Sequence, residues 1–327
     1  MRLRLALFVV LALAAAAAPS SAPAGSAALP SLHFTVFTHT DLPLGDVVWT
    51  GTRFLYNAEN LGTLESSDAT GRGFQPFASL DQGGEEMRCL PAPTQPAFWP
   101  AGIYCHTPDN RILRYSLDGT SVTELARLPD PGPSDGALAF DTVGRFGYTL
   151  LATSGGSASN GGTLYTIRTG GQVSPVGAYP GPGGAENIVV APKSFGSQGG
   201  SIVIAIDQDA VSGRVLAVDR HGSVTQLASG LSPGANPIAV IAASPAKRAA
   251  GLPGAGLYLA DTNSNSIYFT PAAGLKAYTG AVIVGTEKTA RLWLIRPKAG
   301  GGFQTLVVNS DLPPTQNWNL ESADYVP

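Results

Sequence analysis

The feature that most constrains this chain is a recurring unit in which a polar turn leads into a short apolar strand. It is seen at Gly45-Asp46-Val47-Val48-Trp49, Glu85-Glu86-Met87-Arg88-Cys89-Leu90, Asp135-Gly136-Ala137-Leu138-Ala139-Phe140, Glu186-Asn187-Ile188-Val189-Val190 and Asn236-Pro237-Ile238-Ala239-Val240-Ile241. The starts are spaced by roughly 40–50 residues, the period of four-stranded propeller blades. A second strand follows in each unit, at Phe54–Asn57, Gly102–Cys105, Tyr148–Thr153, Ile202–Ile206 and Leu257–Ala260. Hairpins then supply the third and fourth strands, as in Leu164–Arg168 with Val173–Tyr179, joined across Gly-rich turns such as Thr169-Gly170-Gly171.

Five blades are counted this way, and Val282–Gly285, Leu292–Ile295 and Phe303–Val308 supply three strands of a sixth. The early strand Leu32–Thr38 is expected to complete that last blade and close the ring, removing exposed sheet edges. The tail Asn317–Val326 is the competing candidate for closure, and seven blades is the alternative count. The fold class is therefore all-β, a six-bladed β-propeller of four-stranded blades. Composition agrees: charged residues are 13% of the chain, well below the roughly 25% of ordinary soluble domains, while Gly and Pro are plentiful without a short period.

Residues Met1–Ala18 carry Arg2 and Arg4 ahead of an apolar run, followed by small residues and prolines, the pattern of a secretory signal. Residues 1–28 are read as signal and linker and 29–327 as one propeller domain, exported to the periplasm, the cell surface or the medium. The formal charge of -3 offers no footprint for nucleic acid or anionic membrane, and no second segment is long enough to span a bilayer. Cys89 and Cys105 fall on the first and second strands of one blade, neighbours across an antiparallel pair, which in an exported protein predicts a disulfide.

Several motif matches fail on context. Gly132-Pro133-Ser134-Asp135-Gly136 fits G-x-S-x-G but precedes a strand rather than a helix. Asp261-Thr262-Asn263-Ser264-Asn265 begins like a calcium loop, yet Ser266 and Ala272 stand where Gly and a bidentate Glu are needed, so a polar turn between strands is expected. Gly181-Pro182-Gly183-Gly184 lacks a phosphate-loop lysine. The four histidines, His33, His39, His106 and His221, are too scattered for an imidazole-based zinc site.

The residues that open the inner strands converge at one mouth of a closed ring. They are Asp46, Glu85 or Glu86, Asp135, Glu186 or Asn187, and Asn236, oxygen donors suited to calcium or another hard cation. Asp and Asn also favour such turns because their side chains hydrogen-bond local backbone, so position alone leaves both readings open.

The segment Leu44-Gly45-Asp46-Val47-Val48-Trp49 with Phe54-Leu55-Tyr56 resembles the first blade of the regucalcin/gluconolactonase family. Ser134-Asp135-Gly136 through Gly144-Arg145-Phe146 resembles its central blade, and Gly256-Leu257-Tyr258-Leu259-Ala260-Asp261-Thr262 resembles NHL-repeat blades. The resemblance implies a six-bladed propeller with one divalent metal in the channel, commonly calcium, and hydrolysis of lactones or related esters. It places the metal ligands at Asp46, Ser134, Asn187 and Asn236, of which only Asn187 is identical to the family's residue, with Glu186, Glu86 or Asp135 available to compensate. Asp135 matches the family's substrate-contacting Asp, and Asp46 or Asp135 would take the proton from a cation-bound water. The rival is a non-catalytic propeller holding a sugar, peptide or cell-surface partner. A quinone-dependent sugar dehydrogenase comes third, since it calls for basic residues and a histidine in the channel. The expected ligand is a small molecule or carbohydrate at the channel mouth, and the expected state is a monomer.

Overall fold

A computed structural model describes residues 29–327 apart from 60, 80–86, 95–97, 131–135, 157–159, 208–211, 244–249 and 314–316. The expected signal segment therefore lies outside the described residues, as do Glu85, Glu86, Ser134 and Asp135. Six antiparallel sheets form six blades around a central channel. The first four take four consecutive strands each. Their inner strands are Leu44–Trp49, Arg88–Pro91, Leu138–Phe140 and Gly184–Val190. The expected hairpin of the third blade is present as Gly162–Ile167 paired with Val173–Ala178.

The last two blades share the remaining chain in an order the repeat did not predict. Ala235–Val240 is the inner strand of the fifth blade, but its sheet neighbour is Val282–Thr286, not Gly256–Asp261. Gly256–Asp261 and Ser266–Pro271 instead form the middle of the sixth blade, with Leu320–Val326 inside them and Thr35–His39 outside. The chain thus leaves the fifth blade after one strand, lays two strands into the sixth, and returns. Departure and return are tied together, with Gly280 N donating to Ile241 O at 2.8 Å and Ile241 N to Ala281 O at 3.0 Å. Ala235–Val240, Gly256–Asp261 and Val282–Thr286 are all buried almost throughout, so nothing in the local pattern says which sheet each joins.

The early strand and the tail consequently do not compete. Thr35–His39 completes the last blade from outside, and the tail supplies that blade's inner strand. The early segment also splits, since Ser31–Leu32 pairs in parallel with Asn309 and Ser310 on the fifth blade. Apolar layers between blades hold the ring. At the closure Phe37, Phe54 and Tyr258 meet as a triad, the Phe37 ring centroid lying 5.2 Å from that of Phe54 and 5.0 Å from that of Tyr258, with Phe54 and Tyr258 4.9 Å apart. Cys89 and Cys105 are directly paired across the first two strands of the second blade and are bridged, with Cα atoms 4.1 Å apart. No helix among the described residues is long and apolar enough to cross a membrane.

Candidate functional site

Each inner strand faces the channel along its edge, and polar side chains gather where these strands begin. Arg88 opens the inner strand of the second blade and is buried. Its guanidinium donates to the carbonyls of Gly45 and Glu321, the latter at 2.6 Å, and to Asn236 Oδ1 at 3.4 Å, while Nε donates to the Glu186 carbonyl at 3.1 Å. One side chain thereby links the first, fourth, fifth and sixth blades to the second. A guanidinium suits this place because its five donors fan out in one plane toward several acceptors.

Asp46 lies beside Arg88, with Oδ1 3.7 Å from the guanidinium. Its oxygens also accept from Ser322 Oγ at 2.6 Å, Val47 N at 2.9 Å and Cys89 N at 3.0 Å. These donors fix the Asp46 carboxylate as a clamp between the first, second and sixth blades.

On another side of Arg88 stands a cluster of three buried glutamates. Glu186, Glu287 and Glu321 each place a carboxylate oxygen so that all three lie within 4.8 Å of one another. The Asn236 amide nitrogen lies within hydrogen-bonding reach of all three carboxylates, its two N–H groups shared among them, at 3.1 Å from Glu287 and 2.9 Å from Glu321 for the two longer contacts. Asn236 Oδ1 accepts from Asn187 Nδ2, which also donates to the Glu321 carbonyl at 2.9 Å. Lys288 sits at the rim, 3.2 Å from Glu287 and 2.7 Å from Asn319 Oδ1. Asp46 and the three glutamates set against Arg88 and Lys288 leave two more negative than positive charges in this layer. Burial makes such an excess costly unless protons or a cation neutralise it.

The layer therefore brings together Asp46, Glu186, Asn187 and Asn236, all expected from the sequence, and adds Arg88, Glu287 and Glu321, which were not singled out as site residues. Glu321 carried a usable signal, because it occupies in the tail the place that Glu186 occupies in the fourth blade, one residue into a polar start before apolar positions. Glu287 carried none, since it follows the second strand of its blade in a short 3-10 turn, Glu287–Thr289.

Beyond this layer, toward the ends of the inner strands, the channel widens into a cavity of about 240 Å³. Asp46, Arg88, Asn187 and Ser322 form its floor, while Val48, Leu90, Phe140, Val190 and Ile238 contribute apolar wall. The three glutamates do not line it. Asp324 does, accepting from Trp49 N at 2.8 Å. Enclosure, with the Asp46 charge in support, pushes the Asp324 carboxyl up to about 7. His106 is Cα-paired with Arg88 on the second strand, wholly buried, and burial lowers its imidazole to about 4, so it is neutral at physiological pH. Of the features a quinone site would want, the channel thus has a basic residue in Arg88, and no histidine stands on a described inner strand.

No protein-family model and no curated protein matches the chain. Among solved structures it is similar to hydrazine synthase of Kuenenia stuttgartiensis, at 14% identity over 86% of this chain and 70% of that one, with a TM-score of 0.51. It is also similar to a glucose dehydrogenase, at 12% identity over 90% of this chain and 99% of that one, with a TM-score of 0.56. At such identities the likeness is one of fold.

Proposed function

We propose that the protein is an exported binding propeller whose channel floor is braced by a divalent cation, calcium foremost, and whose channel cavity holds a small ligand. The observation that carries this reading is the buried layer in which Glu186, Glu287 and Glu321 crowd within 4.8 Å and negative charge exceeds positive by two. Oxygen-only ligands in a closed site suit a hard cation, which would replace the Asn236 amide as the centre to which the carboxylates turn. The bridged Cys89–Cys105 pair is compatible with an oxidising compartment.

Binding is favoured over hydrolysis because the glutamates lie behind Arg88 and Asn187 rather than on the cavity wall, so a cation among them would not touch a ligand in the cavity. Lactone or ester hydrolysis stands as the second reading on one observation, that Asp324 lines the cavity with a carboxyl poised to exchange a proton near neutrality.

The test is thermal unfolding of chelator-treated protein with and without calcium, magnesium or manganese. A cation that binds only the folded state stabilises it by about 2.7 kcal/mol at a hundredfold excess over Kd. Calcium is expected to raise the Tm of the wild type and to leave that of Glu321→Gln unchanged. An unaltered wild-type Tm with all three ions would remove the cation from this reading, and turnover of any member of a lactone and ester panel, lost in Asp324→Asn, would establish the hydrolase instead.

A further inference from the structure

The loop from Asp141 to Thr149 connects the first two strands of the third blade at the mouth opposite the polar layer. One buried carboxylate shapes it. Asp141 Oδ1 accepts from Val143 N at 3.1 Å and Gly144 N at 2.8 Å, and Oδ2 from Phe146 N at 2.7 Å and Tyr148 N at 3.0 Å. Four donors on one carboxylate make a rigid loop, and it holds Tyr148 at φ 60°, a left-handed conformation that a bulky side chain disfavours. Strain of this kind persists where the surroundings over-determine it, and it clusters at ligand sites.

The strained residue is on display. Tyr148 is 37% exposed and stands beside Phe98, 58% exposed, with ring centroids 4.9 Å apart. Trp99 Nε1 donates to the Tyr148 carbonyl at 2.9 Å and braces the pair from below. These rings border an open cavity of about 500 Å³ that Arg168 also lines. From its other flank the same loop sends Arg145 into a second cavity, of about 220 Å³, which also holds Arg220, His221 and Ser201. Arg145 lies across Gly200, where a Cβ would come within 2.2 Å of its Cγ, so the path of the arginine depends on glycine at that position. The one carboxylate in this cavity, Asp219, accepts the backbone N–H groups of His221 and Ser223, at 2.8 and 2.9 Å, and shapes the turn there.

A single preformed loop therefore joins an aromatic platform to a cluster of arginines, on a chain whose net charge is -3. We propose that this surface binds an anionic oligosaccharide, with one sugar ring stacked on Phe98 or Tyr148 and a carboxylate or sulfate elsewhere along the saccharide held by Arg145 and Arg220. A sugar presents a C–H face to an aromatic ring and hydroxyls at its edge, which matches exposed rings rimmed by polar groups. Arginine forks match the two oxygens of a carboxylate or sulfate. An acidic peptide would satisfy the arginines and leave the aromatic platform without a role. Phe98, Tyr148, Arg145 and Arg220 do not line the channel cavity, and binding here does not depend on a cation in the channel.

The full chain would be titrated by calorimetry with an oligogalacturonide, a heparin-derived oligosaccharide, a neutral cello-oligosaccharide and polyglutamate, for the wild type, Phe98→Ala and Arg145→Gln. Both substituted side chains are exposed, and far-ultraviolet circular dichroism checks that the variants fold. At least one anionic saccharide is expected to bind, in preference to the neutral one, with affinity falling at least about tenfold in each variant. The tighter of the uronate and the sulfate identifies the anion. The proposal is overturned if no anionic saccharide binds, if polyglutamate binds as tightly, or if saccharide affinity ignores Phe98→Ala.

Discussion

Arg88 and Asp324 show how differently a channel can treat charge. Arg88 is surrounded by carbonyl acceptors and has Asp46 beside it, whereas Asp324 borders the channel cavity with Asp46 as a like charge. Burial, with the like charge of Asp46 in support, pushes the Asp324 carboxyl up to about 7, against roughly 3.9 in an unfolded chain. A raised folded value means that its contribution to stability is full below about pH 4, declines as pH rises, and is lost above about pH 7. Asp324→Asn keeps an acceptor for Trp49 N and removes the titration. The expected outcome is that the unfolding free energy of the wild type, from urea titrations, falls between pH 5 and 8 by more than that of the variant, the difference being on the order of a few kcal/mol. Equal slopes in the two proteins would show that Asp324 ionises normally. The same residue scale explains what the sequence revealed of the site. Asp46, Glu186, Asn187 and Asn236 were legible because they sit at strand starts in a repeat. Arg88 sits at such a start too, but reading it as a channel plug requires knowing that its side chain crosses to four other blades.

At the scale of the blade, hydrogen-bonded neighbours along the chain were easy to read and their assignment to sheets was not. The first four blades are built from consecutive strands, so the repeat alone defines them. For the fifth and sixth, the continuous apolar run of Gly256–Asp261 suits a place beside Ala235–Val240 as well as one beside Leu320–Val326, and only the presence of a tail needing middle strands decides. The second blade offers a cleaner case, since register across one hairpin brought Cys89 opposite Cys105. That bridge closes 16 residues of sequence, a span for which chain-entropy arguments give about 3 kcal/mol. Replacing both cysteines by alanine is expected to lower the unfolding free energy by about that amount in chemical denaturation. The loss should exceed that of an exposed-site control, because 89 and 105 are also buried in the layer between the first two blades.

At the scale of the whole ring, closure brings the early strand Thr35–His39 and the tail Leu320–Val326 into one blade, with the excursion from the fifth blade between them. The two ends do not contribute equally. Thr35–His39 is an outer strand with no residue classed as buried. Leu320–Val326 is an inner strand that packs against two neighbouring blades and carries Glu321, Ser322 and Asp324 into the channel. Trp318, Leu320, Tyr325 and Val326 are all buried, and at about 1.5–3 kcal/mol for each large apolar side chain their loss rivals the 5–15 kcal/mol that holds a typical domain folded. Removing residues 318–327 is therefore expected to abolish the cooperative transition, while removing residues 29–39 lowers the Tm but leaves a transition in place. Because the missing strand leaves an open slot between the first and fifth blades, a synthetic peptide of residues 317–327 added in trans should restore near-ultraviolet circular dichroism to the tail-truncated protein. A truncated protein that melts like the full chain would mean that the ring is held by its inter-blade layers without the closing strand, and one that the peptide does not rescue would mean that the strand must be covalently joined to take its place.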